Sequence, residues 1–141
     1  MTIIEAVRTY LAACPLLADG KLHVDFLPPE AVTYSVDVVP VKPVIKQYLD
    51  GSSNRQFLFV LASRAYYGAF IRQQIDNLCF FEKFEEWLDS QNRAHNFPNL
   101  GVGRRGSKLE VTTSGYIFAP DTDTARYQIQ CRLFYYQKGE R

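Results

Sequence analysis

The chain has 141 residues, of which 47% are hydrophobic and 22% charged, and its formal net charge is +1. That length suits one domain burying roughly two-thirds of the unfolded chain's accessible surface, and the composition excludes wholesale disorder. A charge so near zero gives no whole-chain field to gather nucleic acid or an anionic membrane, so any such contact must be local.

The start, Met1 to Glu5, lacks the basic stretch of a cleaved signal, and no run approaches the roughly twenty apolar residues of a membrane span. Ile3, Ile4, Val7, Leu11 and Cys14 recur at helical spacing, with Thr2 and Glu5 placed as a capping box and Pro15 as the stop. Lys21 to Leu27 then alternates Leu22, Val24 and Phe26 against Lys21, His23 and Asp25, which predicts a half-buried strand ended by Pro28-Pro29.

Thr33 to Val39 alternates in the same way. Pro40 and Pro43 remove two backbone donors, so the chain beyond is a bent connector or a sheet edge. Val44 to Leu49 reads as a strand, Asp50 to Ser53 as a turn, and Gln56 to Ser63 as the returning partner. Its core, Phe57 to Ala62, does not alternate, which predicts cover on both faces.

After Gly68, the residues Ile71, Ile75, Leu78, Phe81, Phe84 and Leu88 mark one helical face with Trp87 beside it, ending between Asn92 and His95. Asn77 and the Phe80-Phe81 pair leave open a bend or two consecutive helices. Asn96 to Gly106, with three glycines and the pair Arg104-Arg105, has no apolar period and reads as a loop, mobile or ordered by a neighbour.

Lys108 to Phe118 and Thr124 to Tyr136 form a long antiparallel hairpin joined by Ala119 to Asp123. Ala125, Tyr127, Ile129, Cys131, Leu133 and Tyr135 make a core face, and Arg126, Gln128, Gln130 and Arg132 the other. Glu110, Thr112, Ser114 and Tyr116 continue that polar face on the preceding strand. It is either a solvated outer surface or an assembly face. The expected fold is therefore α/β in the α+β sense: a single domain over 1–141 with a mixed or mainly antiparallel sheet, an N-terminal helix and a central helical region.

Residues that carry chemistry are sparse. His23 sits in a strand and His95 at a helix end, without a partner nucleophile or carboxylate in motif spacing. Cys14, Cys79 and Cys131 are far apart among apolar neighbours, which suits three buried thiols in a reducing compartment and offers no metal pattern. Asp121 and Asp123 suit a turn, Ser63 and Ser114 lack nucleophile-elbow surroundings, and Gly101 to Gly106 lacks the Lys and Ser/Thr of a phosphate loop. No catalytic, cofactor or metal set is expected. The surface residues favoured for contact are Tyr66, Tyr67, Arg104, Arg105, Arg126, Gln128 and Arg132, because aromatic and arginine side chains carry most interface energy.

Several segments carry a resemblance to a known family: Met1 to Val7, Val44 to Tyr48 followed by Asp50 to Ser53, Arg55 to Phe59, Phe84 to Leu88, Thr113 to Tyr116 and, most distinctively, Asp123 to Cys131. Over nearly its whole length the chain resembles the tail-terminator, minor capsid or head-tail joining proteins of tailed phages and prophages of Gram-positive bacteria. The resemblance implies a structural subunit that self-associates into a ring, commonly of six copies. Such a ring caps the tail tube protein and meets the head-side connector protein, with transient proximity to genomic DNA and no membrane. It places the protein at the head-proximal end of the virion tail, and in the host cytoplasm during assembly. A head-completion or minor capsid protein is the alternative, and a nucleic-acid-binding module a weaker one. Relatives of this kind have carried a chloramphenicol-resistance label, but neither histidine is followed by the x-x-x-D-G of such acyltransferases.

Overall fold

The computed structural model of the protein describes residues 2–17, 21–24, 27, 33–66, 71–120 and 124–139. Helix α1 spans Ile3–Ala12 and begins with a capping box: Glu5 N–H donates to Thr2 Oγ1 (3.3 Å) and Thr2 N–H to Glu5 Oε2 (3.4 Å). A single 3-10 turn, Pro15–Leu17, follows. Strand β1 (Lys21–Val24) runs parallel to β2 (Thr33–Val39). Asp25, Phe26 and the two prolines expected to end β1 lie outside the described residues.

β2 is antiparallel to β4 (Ser53–Tyr66), which also pairs with the short β3 (Val44–Gln47). Pro43 immediately precedes β3, in keeping with an edge strand. Helix α2 runs unbroken over Ile71–Arg93, so neither Asn77 nor the Phe80-Phe81 pair divides it. It is followed by β5 (Arg104–Pro120) and β6 (Thr124–Gln137). The sheet order is β1-β2-β4-β6-β5, mixed but mostly antiparallel, with β3 attached to β4 beside this path.

Both helices bury their apolar stripes on one face of the sheet. Ala6, Val7 and Leu11 of α1 and Phe81, Phe84 and Leu88 of α2 form one core with Val36, Phe59, Leu61, Tyr127, Ile129, Cys131 and Leu133. The expected core row of β6 is thus the helix-facing row for every member whose side chain is described. α1 and α2 meet through Tyr10 and Trp87, whose ring centres lie 5.3 Å apart, while Tyr10 Oη donates to the Asn96 carbonyl (2.9 Å).

The loop expected over Asn96 to Gly106 is shorter than the sequence suggests. Arg104, Arg105 and Gly106 already belong to β5, opposite Gln137, Tyr136 and Tyr135 of β6. Gly106 permits this: a Cβ there would stand 2.7 Å from Phe97 Cβ, so the strand can pass beneath that ring only without a side chain. α2 itself ends in a Schellman arrangement. Asn96 N–H donates to Gln91 O (2.9 Å) and His95 N–H to Asn92 O (3.2 Å), with His95 at φ 53° in the left-handed region.

Candidate functional site

Two turns and one strand end meet at a single end of the sheet. Ser53, Gln137 and Arg104 stand at one level across β4, β6 and β5. Before Ser53, the chain reverses at Tyr48 to Ser52, closed by Tyr48 N–H to Ser52 O (2.8 Å) and by Gly51 at φ 89°. Asp50 locks that turn by accepting from the backbone N–H and the hydroxyl of Ser52, and these bonds hold its carboxyl below the usual carboxylate range. Before Arg104, Gly101 and Gly103 take φ of 93° and 80°, Gly101 N–H donates to Asn99 Oδ1 (3.1 Å), and Lys138 N–H donates to Gly103 O (2.7 Å). Gly139 packs on the first turn, so close that an added Cβ would lie 2.6 Å from Asp50 O.

Each of these well-anchored turns lifts one large apolar side chain into solvent. Leu49 is 99% exposed and Val102 wholly so. Ile45 and Tyr48 extend the patch from the first turn along β3, with Lys46 Nζ 5.3 Å from the centre of the Tyr48 ring. Beside Val102, two adjoining open depressions of about 410 and 460 Å³ are lined by basic groups, Arg104, Arg105, Lys138 and His95, and by no carboxylate. A chain of net charge only +1 thus carries a local cationic rim of Arg104, Arg105 and Lys138 around exposed hydrocarbon, the character of a contact surface.

The opposite sheet face differs from a simple solvated surface. Leu58, Val60 and Ala62 of β4 are buried there although they lie outside the helix-side core. Arg126 Nη2 bonds Asp37 Oδ2 at 2.8 Å, its Nε donates to Gln128 Oε1 (3.2 Å), and Gln128 Nε2 donates to Tyr116 Oη (2.6 Å). Ser35 Oγ donates to Asp37 Oδ1. One polar chain thereby links β2, β6 and β5 across the top of β4.

The expected contact residues do not form one site. Arg104 and Arg105 mark the exposed end just described. Arg126 and Gln128 serve the internal network, and Gln128 is only 8% exposed. Arg132 lies mid-sheet with its guanidinium 5.5 Å from the Phe134 ring centre, and its buried Nε has no hydrogen-bond partner in the described structure. Tyr66 ends β4 opposite Thr124, and Tyr67 lies outside the described residues, as do Asp121 and Asp123. Sequence reasoning does not single out Leu49 and Val102. The signal that could have found them is an apolar residue stranded in a turn, before Asp50-Gly51 in one case and between two glycines in the other, where no core can reach it.

A third groove, of about 400 Å³, lies between α2 and β5, lined by Leu78, Cys79, Phe81, Glu82, Glu85, Ser114 and Gly115. β5 is an edge strand, and α2 blocks part of its outer edge: Asn92 donates through Nδ2 to Leu109 O (2.7 Å) and accepts from Leu109 N–H (2.8 Å) through Oδ1. Phe81 lies directly over Gly115, where a Cβ would stand 2.4 Å from Phe81 Cβ.

Among the described residues no group of three His, Cys, Asp or Glu side chains converges as a metal site, and no helix is long and apolar enough to cross a membrane. Cys14 and Cys131 are buried free thiols, whereas Cys79 is only partly buried. Compared with known proteins, the sequence matches no family model and no curated protein.

Proposed function

We propose that the chain is a structural subunit that works by self-association, as a tail terminator of a tailed phage or prophage. It would close the head-proximal end of a tail tube as a ring, commonly six copies, and present a joining surface to the head-side connector. The reading draws on the sequence resemblance carried by Asp123 to Cys131 and the other segments. The observation that carries it is the pair Leu49 and Val102, two fully exposed apolar side chains held at one end of the sheet by turns that are otherwise tightly bonded. Exposed hydrocarbon on ordered turns costs solubility without aiding the subunit's own stability, and it becomes useful once a neighbour covers it. Repetition around a ring turns such a small patch into a cooperative interface.

Electron microscopy of tail tubes incubated with the purified chain tests this. Discrete caps at one tube end, lost in the Leu49→Ser/Val102→Ser double variant, support the role. Attachment to capsids with bare tubes would instead support a head-completion protein, and turnover of a small substrate without assembly would support an enzyme.

A further inference from the structure

The geometry points to a specific contact between copies: Val102 and Arg105 of one subunit seat in the α2–β5 groove of the next, with Val102 against Leu78 and Arg105 against Glu82 and Glu85. This rests on the reading of the chain as a self-associating subunit and specifies how the copies join. Three observations carry it. The knob is a wholly exposed valine on an anchored turn, followed three residues later by an exposed arginine. The groove has an apolar floor, with Leu78 44% exposed, and its acidic members share one helical face with that floor at positions 78, 81, 82 and 85. The side chains of Arg105, Glu82 and Glu85 make no hydrogen bond or ion pair among the described residues, and Arg105 and Glu82 are exposed, with Glu85 half-buried beside them.

Knob and groove occupy different parts of the subunit, the first before β5 begins and the second beside its later half at Ser114-Gly115. A contact joining two different patches is head-to-tail: an open row of copies keeps one free knob at one end and one free groove at the other until a ring closes. A symmetric pair of copies would leave neither. The cationic and anionic sides also steer the approach and disfavour knob-to-knob pairing.

Native Cys79 in the groove makes the contact directly testable. In a Val102→Cys variant of the full chain, oxidation with copper-phenanthroline should give a ladder of covalent oligomers extending beyond dimers, absent when Cys79→Ser is added. In uncrosslinked protein, Arg105→Glu should raise the concentration for half-assembly about tenfold, and Glu82→Arg in the same chain should recover most of that loss. Oxidation products that stop at dimers overturn the head-to-tail geometry. Wild-type rings, with no crosslink between position 102 of the variant and Cys79 and no charge-swap recovery, overturn this contact while leaving self-association standing. A wild-type chain that stays monomeric at every concentration and on tubes overturns both.

Discussion

Arg126 and Asp37, 89 positions apart in sequence, meet at 2.8 Å across a strand that belongs to neither. Register explains the reach. Arg126 is level with Arg64 of β4 and Asp37 with Val60, so the bond crosses β4 diagonally at the level of Ala62. Ala62 is fully buried, and its single methyl leaves room for the guanidinium above it. The pair fixes β2 relative to β6 on the face without helices.

Each partner is 22% exposed, so the ion pair is partly screened, and a double-mutant cycle on Asp37→Ala and Arg126→Ala should return a coupling on the order of 1 kcal/mol. Ala62→Leu should cost about 1–3 kcal/mol by forcing the guanidinium away. Urea unfolding of the single and double variants measures both.

Gly115→Ala should destabilise by about 1–3 kcal/mol, because the new methyl meets the buried Phe81 rather than a flexible chain end. The double variant Gly115→Ala/Phe81→Leu should recover part of that loss. The thermal midpoints of the two variants separate this packing effect from a general weakness of β5.

His95→Gly should stabilise by about 1 kcal/mol, since φ 53° at the helix end is strained for histidine and free for glycine. The gain should appear in the unfolding free energy measured by urea titration.

The three thiols should separate kinetically. Burial pushes the Cys14 and Cys131 thiols above their ordinary range, and Glu85 adds to the effect at Cys131. At pH 8 both should be almost wholly protonated, so a disulfide reagent should modify Cys79 at least about tenfold faster than either. The two slow thiols should react only as the chain opens, a difference that peptide mass mapping reads directly.

Much of this fold is legible in the sequence where one physical signal dominates. Thr2 and Glu5 announce the start of α1, the unbroken apolar run Phe57 to Ala62 announces a strand covered on both faces, and the alternation Tyr127 to Tyr135 announces the core row of β6. The signal fails where the backbone departs from a simple period. β5 shifts register between Val111 and Thr113 and again before Tyr116, so Thr113 rather than Thr112 stands opposite Gln130. Glu110 and Tyr116 keep their expected places beside Arg132 and Gln128, whereas Ser114 lines the groove on the α2 side. Arg104 to Gly106 resembles loop because glycine obscures a strand whose partner lies roughly thirty residues away in sequence. Gln128 resembles a free polar residue because nothing local reveals the Tyr116 hydroxyl beside it. The exposed end is the least visible, since it depends on three distant segments meeting at Lys138 and Gly139.

The most direct measurement is the mass of the purified chain across a range of concentrations, alone and bound to tail tubes, by light scattering and native mass spectrometry. The account predicts a closed multi-copy species, six copies in the favoured case, that forms at high concentration or on the tube and dissociates in the Leu49→Ser/Val102→Ser variant. A chain that remains a single copy in solution and on tubes, with the variant indistinguishable from it, would contradict the account.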